Sequence, residues 1–289
     1  MAPSSRRSTR RLVTLTSDLG WEYAAQMKAV LSRRIPPGHV VDLTHDLPRH
    51  ETGEAAFVLR AMAEGFPAGT VHVAVVDPGV GGRRAPVVIE CTEGSRLVGP
   101  DNGLLWPLAE ALGFRAAFRI STDRRVPSRR VGTTFDGRDV FAPAAGRLAG
   151  GSSPSRMGPS MRPVRASLAR AERHRNGALG RVMHVDRFGN AVTNVPSTWV
   201  PPGTDRIGVR TRLGRSAPRS VRWTTSYEEL GVGRLGALGS SFGSVELAVA
   251  RGRADRRLQL RVGASVSFTW SGNGRAASET VNISPPRRR

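Results

Sequence analysis

Three apolar runs in the first 80 residues each close on an aspartate, and a stretch with helical spacing separates each run from the next. "RLVTLTSDLG" reads as a buried strand over residues 12–16 that runs into a polar turn. "AAQMKAVLSRR" has helical periodicity and stops before "IPPGH", where two prolines break it. "VVDLTHDLP" is a second strand, "ETGEAAFVLRAMAEGF" a second amphipathic helix, and "TVHVAVVDPGVGG" a third strand entering a Gly/Pro turn. This β-α-β-α-β alternation predicts an α/β N-terminal domain with a mostly parallel sheet and flanking helices. Open α/β sheets bind ligands beyond the carboxyl ends of their strands. Asp18, the segment 42–45 and Asp77 therefore mark an expected site edge before any function is considered.

The pattern changes near residue 150. "GGSSPSRMGPSMRPVRASLARAERHRNG" is rich in Gly, Ser, Pro and Arg, and 151–178 is expected to be a linker. Beyond it, short strands separated by glycine turns predict a smaller all-β barrel over 179–275. Residues 1–11 read as a disordered basic leader, 12–150 as the α/β domain and 276–289 as a basic tail.

Several function classes drop out. No run of about 18 apolar residues exists to span a membrane. The start lacks the longer apolar segment of a secretory signal, so a cytoplasmic protein is expected. The single cysteine, Cys91, excludes an internal disulfide framework and a Cys-based zinc site. The six histidines lack metal-ligand spacing, and no metal is expected. "GVGRLG" at 231–236 opens no helix and reads as a turn between strands. The formal charge of +21 invites a nucleic-acid reading, but 43 of the 44 basic residues are arginine, Lys28 alone being lysine. That skew fits a coding bias, and the arginines are scattered, so a solvated surface is preferred over a nucleic-acid interface.

Four polar clusters carry chemistry: "VAVVDPGVGGRR" (73–84), "GPDNGLL" (99–105), "TFDGRDVFAPAA" (134–145) and "DRFGNAVTNV" (186–195). With "SDLG" and "VDLTHDLP", they run in the order found in the S-adenosyl-L-methionine hydroxide adenosyltransferases. The chain resembles that family, which is related to the fluorinases and chlorinases, from about residue 12 to 270. The resemblance implies a homotrimer with active sites between the N-terminal domain of one subunit and the C-terminal domain of the next. It implies hydrolysis of S-adenosylmethionine to adenosine and methionine by water or hydroxide attack at C5′, with no metal or added cofactor. Asp77 and Arg84 match two members of the family's Asp–Arg–His catalytic set. Asp18 matches the carboxylate that receives the ribose hydroxyls, and Asp186 and Asn190 match residues around the methionine amino and carboxylate groups. Phe188 matches an apolar wall and Ser241 a serine near the methionine carboxylate. Tyr227 is placed to stack on adenine from the neighbouring subunit and Phe135 to form an apolar wall, and both read equally as core aromatics.

The third catalytic position carries Asp136 where the family has histidine. Three readings follow. Asp136 replaces the histidine as proton acceptor, two carboxylates facing one arginine being a set that shares a proton. Alternatively, catalysis is weakened and the protein binds an adenosyl ligand without efficient turnover. In the third reading the nucleophile has changed to halide, which the retained Asp77 and Gly137 disfavour. Other departures are Ala29 for Gly, Ala250 and Ser240 for Asn, and a shortened loop after "SDLG" where Glu22 is the remaining acid.

Overall fold

The computed structural model describes residues 11–121, 134–211 and 217–270. The expected leader and tail lie outside them, apart from Arg11. The chain divides into two compact units between Leu168 and Ala169.

Unit 1 is built on a six-stranded sheet. Its strands are β1 (Val13–Ser17), β2 (Val40–Thr44), β3 (Val71–Val75), β4 (Pro86–Cys91), β5 (Arg96–Pro100) and β6 (Phe114–Arg119), in the order β2-β1-β3-β5-β4-β6. The pairs β1–β2, β1–β3 and β3–β5 are parallel. β4 is antiparallel to both β5 and β6. The sheet is therefore mixed, which corrects the expectation of a mostly parallel one. The reason is the length of the connection: residues 92–95 join β4 to β5 with no room for a crossover helix, so the two strands form a hairpin.

Helices α1 (Trp21–Leu31) and α2 (Thr52–Ala63) follow β1 and β2. α3 (Trp106–Ala111) packs beside α2, and α4 (Ala142–Ala149) beside α1. The chain steps from β1 to β2 in one direction and returns past β1 to β3 in the other. Right-handed crossovers then put α1 and α2 on opposite faces. The reversal opens a crevice at the carboxyl ends of β1 and β3, the usual ligand position in such sheets. Val13 and Leu15 of β1 pack with Met27 and Leu31 of α1 and with Ala145 and Leu148 of α4 in one core. On the other face of β1, Thr14 Oγ1 meets His72 Nδ1 at 2.9 Å.

Unit 2 is all β. Strands β8 (Gly177–Val185), β9 (Ala191–Pro196), β10 (Arg206–Thr211), β11 (Arg219–Thr224), β12 (Leu235–Gly239), β13 (Ser244–Val249) and β14 (Ser265–Thr269) form a ring that the β14–β8 pairing closes. This is a closed seven-strand barrel among the described residues, with the short β7 (Glu172–His174) added outside on β8. Its core includes Val182, Val195, Leu247 and Phe268, and the short helix α5 (Ala254–Leu258) contributes Ala254 and Leu258. No helix among the described residues is long and apolar enough to cross a membrane.

Candidate active site

Asp77 follows β3, and its Oδ1 accepts the Gly79 N–H at 3.2 Å, closing the tight turn that "DPG" predicts. The loop then folds back to bring Arg84 onto the same carboxylate. Arg84 Nε lies 3.0 and 2.9 Å from the two Asp77 oxygens, and Nη2 also donates to Oδ2. The same Nη2 donates to Asp136 Oδ2 at 2.6 Å. Two carboxylates from distant parts of the sequence thus share the Arg84 guanidinium, and all three side chains are largely buried. Burial alone lowers the affinity of Arg84 for its proton; the hydrogen bonds and charges of Asp77 and Asp136 outweigh that and hold it above its ordinary range.

Asp136 sits at the entrance to a single π-helical turn, Gly137–Phe141, which continues into α4. Such turns recur at functional sites because the extra residue re-aims the side chains around it. Here Phe141 is fully buried and its ring lies 5.4 Å from the Arg84 guanidinium carbon, forming an apolar floor under the cation. Gly137 has no room for a side chain: a Cβ there meets Phe135 Cε2 at 2.8 Å and Met27 Sδ at 3.1 Å. Phe135 is half-buried, edge-on to Tyr23 at 5.2 Å, with the Arg138 guanidinium over its face.

Asp18 lies one strand away. Its N–H donates to Val75 O, two residues before Asp77, which ties the ends of β1 and β3 together. Its Oδ2 accepts the His50 N–H at 3.1 Å. Behind it runs a polar chain that sequence reading did not assemble. Ser17 Oγ meets His45 Nδ1 at 2.8 Å, His45 Nε2 meets Asp42 Oδ1 at 3.0 Å, and Lys28 Nζ meets Asp42 Oδ2 at 2.8 Å. Burial pushes the Asp42 carboxyl up, but Lys28 and His45 together bring it below its ordinary value.

In unit 2, Asp186 follows β8 and organises the "DRFGN" turn. Its Oδ1 accepts the N–H groups of Phe188 and Asn190, both at 2.9 Å, and Oδ2 accepts Asn190 Nδ2 at 2.9 Å. Phe188 projects outward, 67% exposed. Tyr227 Oη donates to Glu246 Oε1 at 2.6 Å. Glu246 is a buried carboxylate that sequence reading missed; the signal was one acid inside the apolar strand "SVELAV". Burial raises its pKa, with the charge of Asp186 adding to the effect against the Tyr227 hydrogen bond. Burial, the bond to Glu246 and the charges of Glu246 and Asp186 likewise push the Tyr227 phenol upward. Ser241 lies exposed in the β12–β13 turn, which Gly243 N–H closes onto Ser240 O at 3.0 Å. Among the described residues, no group of three or more His, Cys, Asp or Glu side chains is placed to hold a metal ion.

The SAM hydroxide adenosyltransferase N-terminal domain matches residues 13–158 and the corresponding C-terminal domain matches 180–267. The chain belongs to the SAM hydroxide adenosyltransferase family. It is similar to the (R)-S-adenosyl-L-methionine hydrolases of Thermus thermophilus and Salinispora tropica, at 40% and 35% identity. Each match covers 89% of this chain, with 98% and 97% of the respective relative. Fluorinases match more distantly, at 25 or 26% identity. A crystal structure of an uncharacterized conserved protein from Thermotoga maritima aligns with a TM-score of 0.81 at 28% identity, covering 89% of this chain and all of that one.

Proposed function

We propose that this protein hydrolyses S-adenosyl-L-methionine to adenosine and L-methionine. The observation that carries the reading is that Asp77 and Asp136 both accept from Nη2 of one Arg84 guanidinium, at the carboxyl edge of β3. The names of the relatives supply the substrate. The sulfonium is already a good leaving group, so methionine departs as a neutral thioether without an acid, a metal or an added cofactor. What the protein must provide is a water molecule freed from bulk solvent and aligned behind the C5′–S bond. Asp77 and Arg84 orient it, and Asp136 takes its proton as the new C5′–O bond forms and the C5′–S bond breaks. Two carboxylates to one guanidinium also suit a cationic substrate and a neutral nucleophile better than an anionic halide.

In this reading Asp18 receives the ribose hydroxyls by paired hydrogen bonds. Asp186 and Asn190 bind the amino-acid end of the substrate with Ser241 beside them, and Phe188, Phe135 and Tyr227 enclose the apolar surfaces. The barrel residues serve the α/β cluster of a neighbouring subunit in a homotrimer, and the exposure of Phe188 and Tyr227 supports an interface role. The reaction is placed in the cytoplasm. Incubation with S-adenosylmethionine in ¹⁸O-labelled water tests it: adenosine and methionine are expected in equal amounts, with the label in the 5′-hydroxyl. Bound but unchanged substrate would make the protein a binding relative instead, and a 5′-halogenated nucleoside formed in added chloride or fluoride would restore the halide reading.

A further inference from the structure

The polar chain under Asp18 has no part in the water-aligning cluster, yet it is complete and directional. Asp42 is held ionised, so in the neutral imidazole His45 Nε2 donates to it and Nδ1 accepts the Ser17 hydroxyl. Ser17 Oγ in turn accepts the Leu19 N–H at 3.4 Å. Ser17 and His45 are each 1% exposed. Lys28, the chain's sole lysine among 44 basic residues, anchors the far end at Asp42. Trp21 lies edge-on against the His45 ring at 4.9 Å.

Backbone contacts show what the chain is coupled to. Gly20 N–H donates to His45 O, and Leu47 N–H donates to Ser17 O. Each loop thus bonds to the residue whose side chain bridges to the other. Asp18 is held inside this stitch, one residue beyond Ser17, and its carboxylate is fixed by the N–H of His50, whose φ of 66° is in the left-handed region. A non-glycine residue stays there only when its surroundings hold it. We infer that His45, bridging Ser17 to Asp42, is a positioning residue that fixes the Asp18 carboxylate for the ribose diol and so sets selectivity for an intact 2′,3′-diol. The inference rests on the ribose role proposed for Asp18.

Calorimetric titration of the full chain with adenosine and with 2′,3′-dideoxyadenosine tests it. The wild type is expected to prefer adenosine by at least about tenfold, the worth of a hydrogen bond to a charged group. Ser17→Ala and His45→Ala are expected to bring that preference within about threefold while affinity for the dideoxy ligand stays unchanged, a split that general loss of structure does not produce. His45→Asn, whose amide takes the place of Nδ1 beside Ser17, is expected to recover the preference. His45→Gln, whose amide takes the place of Nε2, is not. A wild-type preference that survives in both alanine variants overturns the inference alone. A wild type with no preference overturns the role of Asp18 and the inference with it.

Discussion

Nη2 of Arg84 lies 2.6 Å from Oδ2 of Asp136, although 52 residues separate the two in sequence. The Asp136 side chain, at the position where the resemblance implies histidine, thus engages the central arginine directly. Neutral histidine and carboxylate can both accept this bond, but only the carboxylate adds a negative charge.

The fork geometry of Arg84 is the first consequence to test. Nε and Nη2 grip Asp77 while Nη2 also reaches Asp136, which a single ammonium cannot reproduce. Arg84→Lys is expected to lower kcat/KM about a hundredfold, equivalent to about 2.7 kcal/mol. Arg84→Met leaves two largely buried carboxylates without their cation and is expected to cost about 3–5 kcal/mol of stability. Steady-state kinetics and urea unfolding read the two effects separately.

Gly137 controls the wall of the site. Gly137→Ala forces a methyl into Phe135 and Met27, moving the ring next to Asp136. An overpacked position of this kind costs about 1–3 kcal/mol. We expect KM to rise and the unfolding midpoint to fall together; unchanged values for both would show that the π-helical turn tolerates a side chain.

His72 makes stability depend on acidity. Burial lowers its pKa from 6.5 to about 4. Between those values the unfolded chain binds a proton that the folded chain refuses, so stability is fully present above pH 6.5 and is lost as pH falls towards 4. The full effect is about 3 kcal/mol. Unfolding free energies across this window should flatten in His72→Gln, and an equally steep profile in that variant would assign the acid sensitivity to other groups.

Much of this architecture could be read from residue order. The aspartates closing β1 and β3 stand at the switch point because apolar runs alternate with helical spacing there. The "DPGVGGRR" and "DRFGN" turns fold as their glycines and aspartates suggest. β4 escaped because a short strand joined by a four-residue hairpin carries no crossover signal. The π-helical turn escaped because apolar spacing does not separate it from α-helix over five residues. Glu246 and the Ser17–His45–Asp42 chain depend on which side chains meet across strands, and neighbours in sequence do not report that.

Asp136→Asn tests the central claim most directly. The amide keeps the size of the side chain and an oxygen for Arg84, but it cannot take a proton. Single-turnover formation of adenosine from S-adenosylmethionine at saturating enzyme is expected to slow by about 10²–10⁴-fold. A variant that turns over at the wild-type rate would contradict a proton-accepting Asp136.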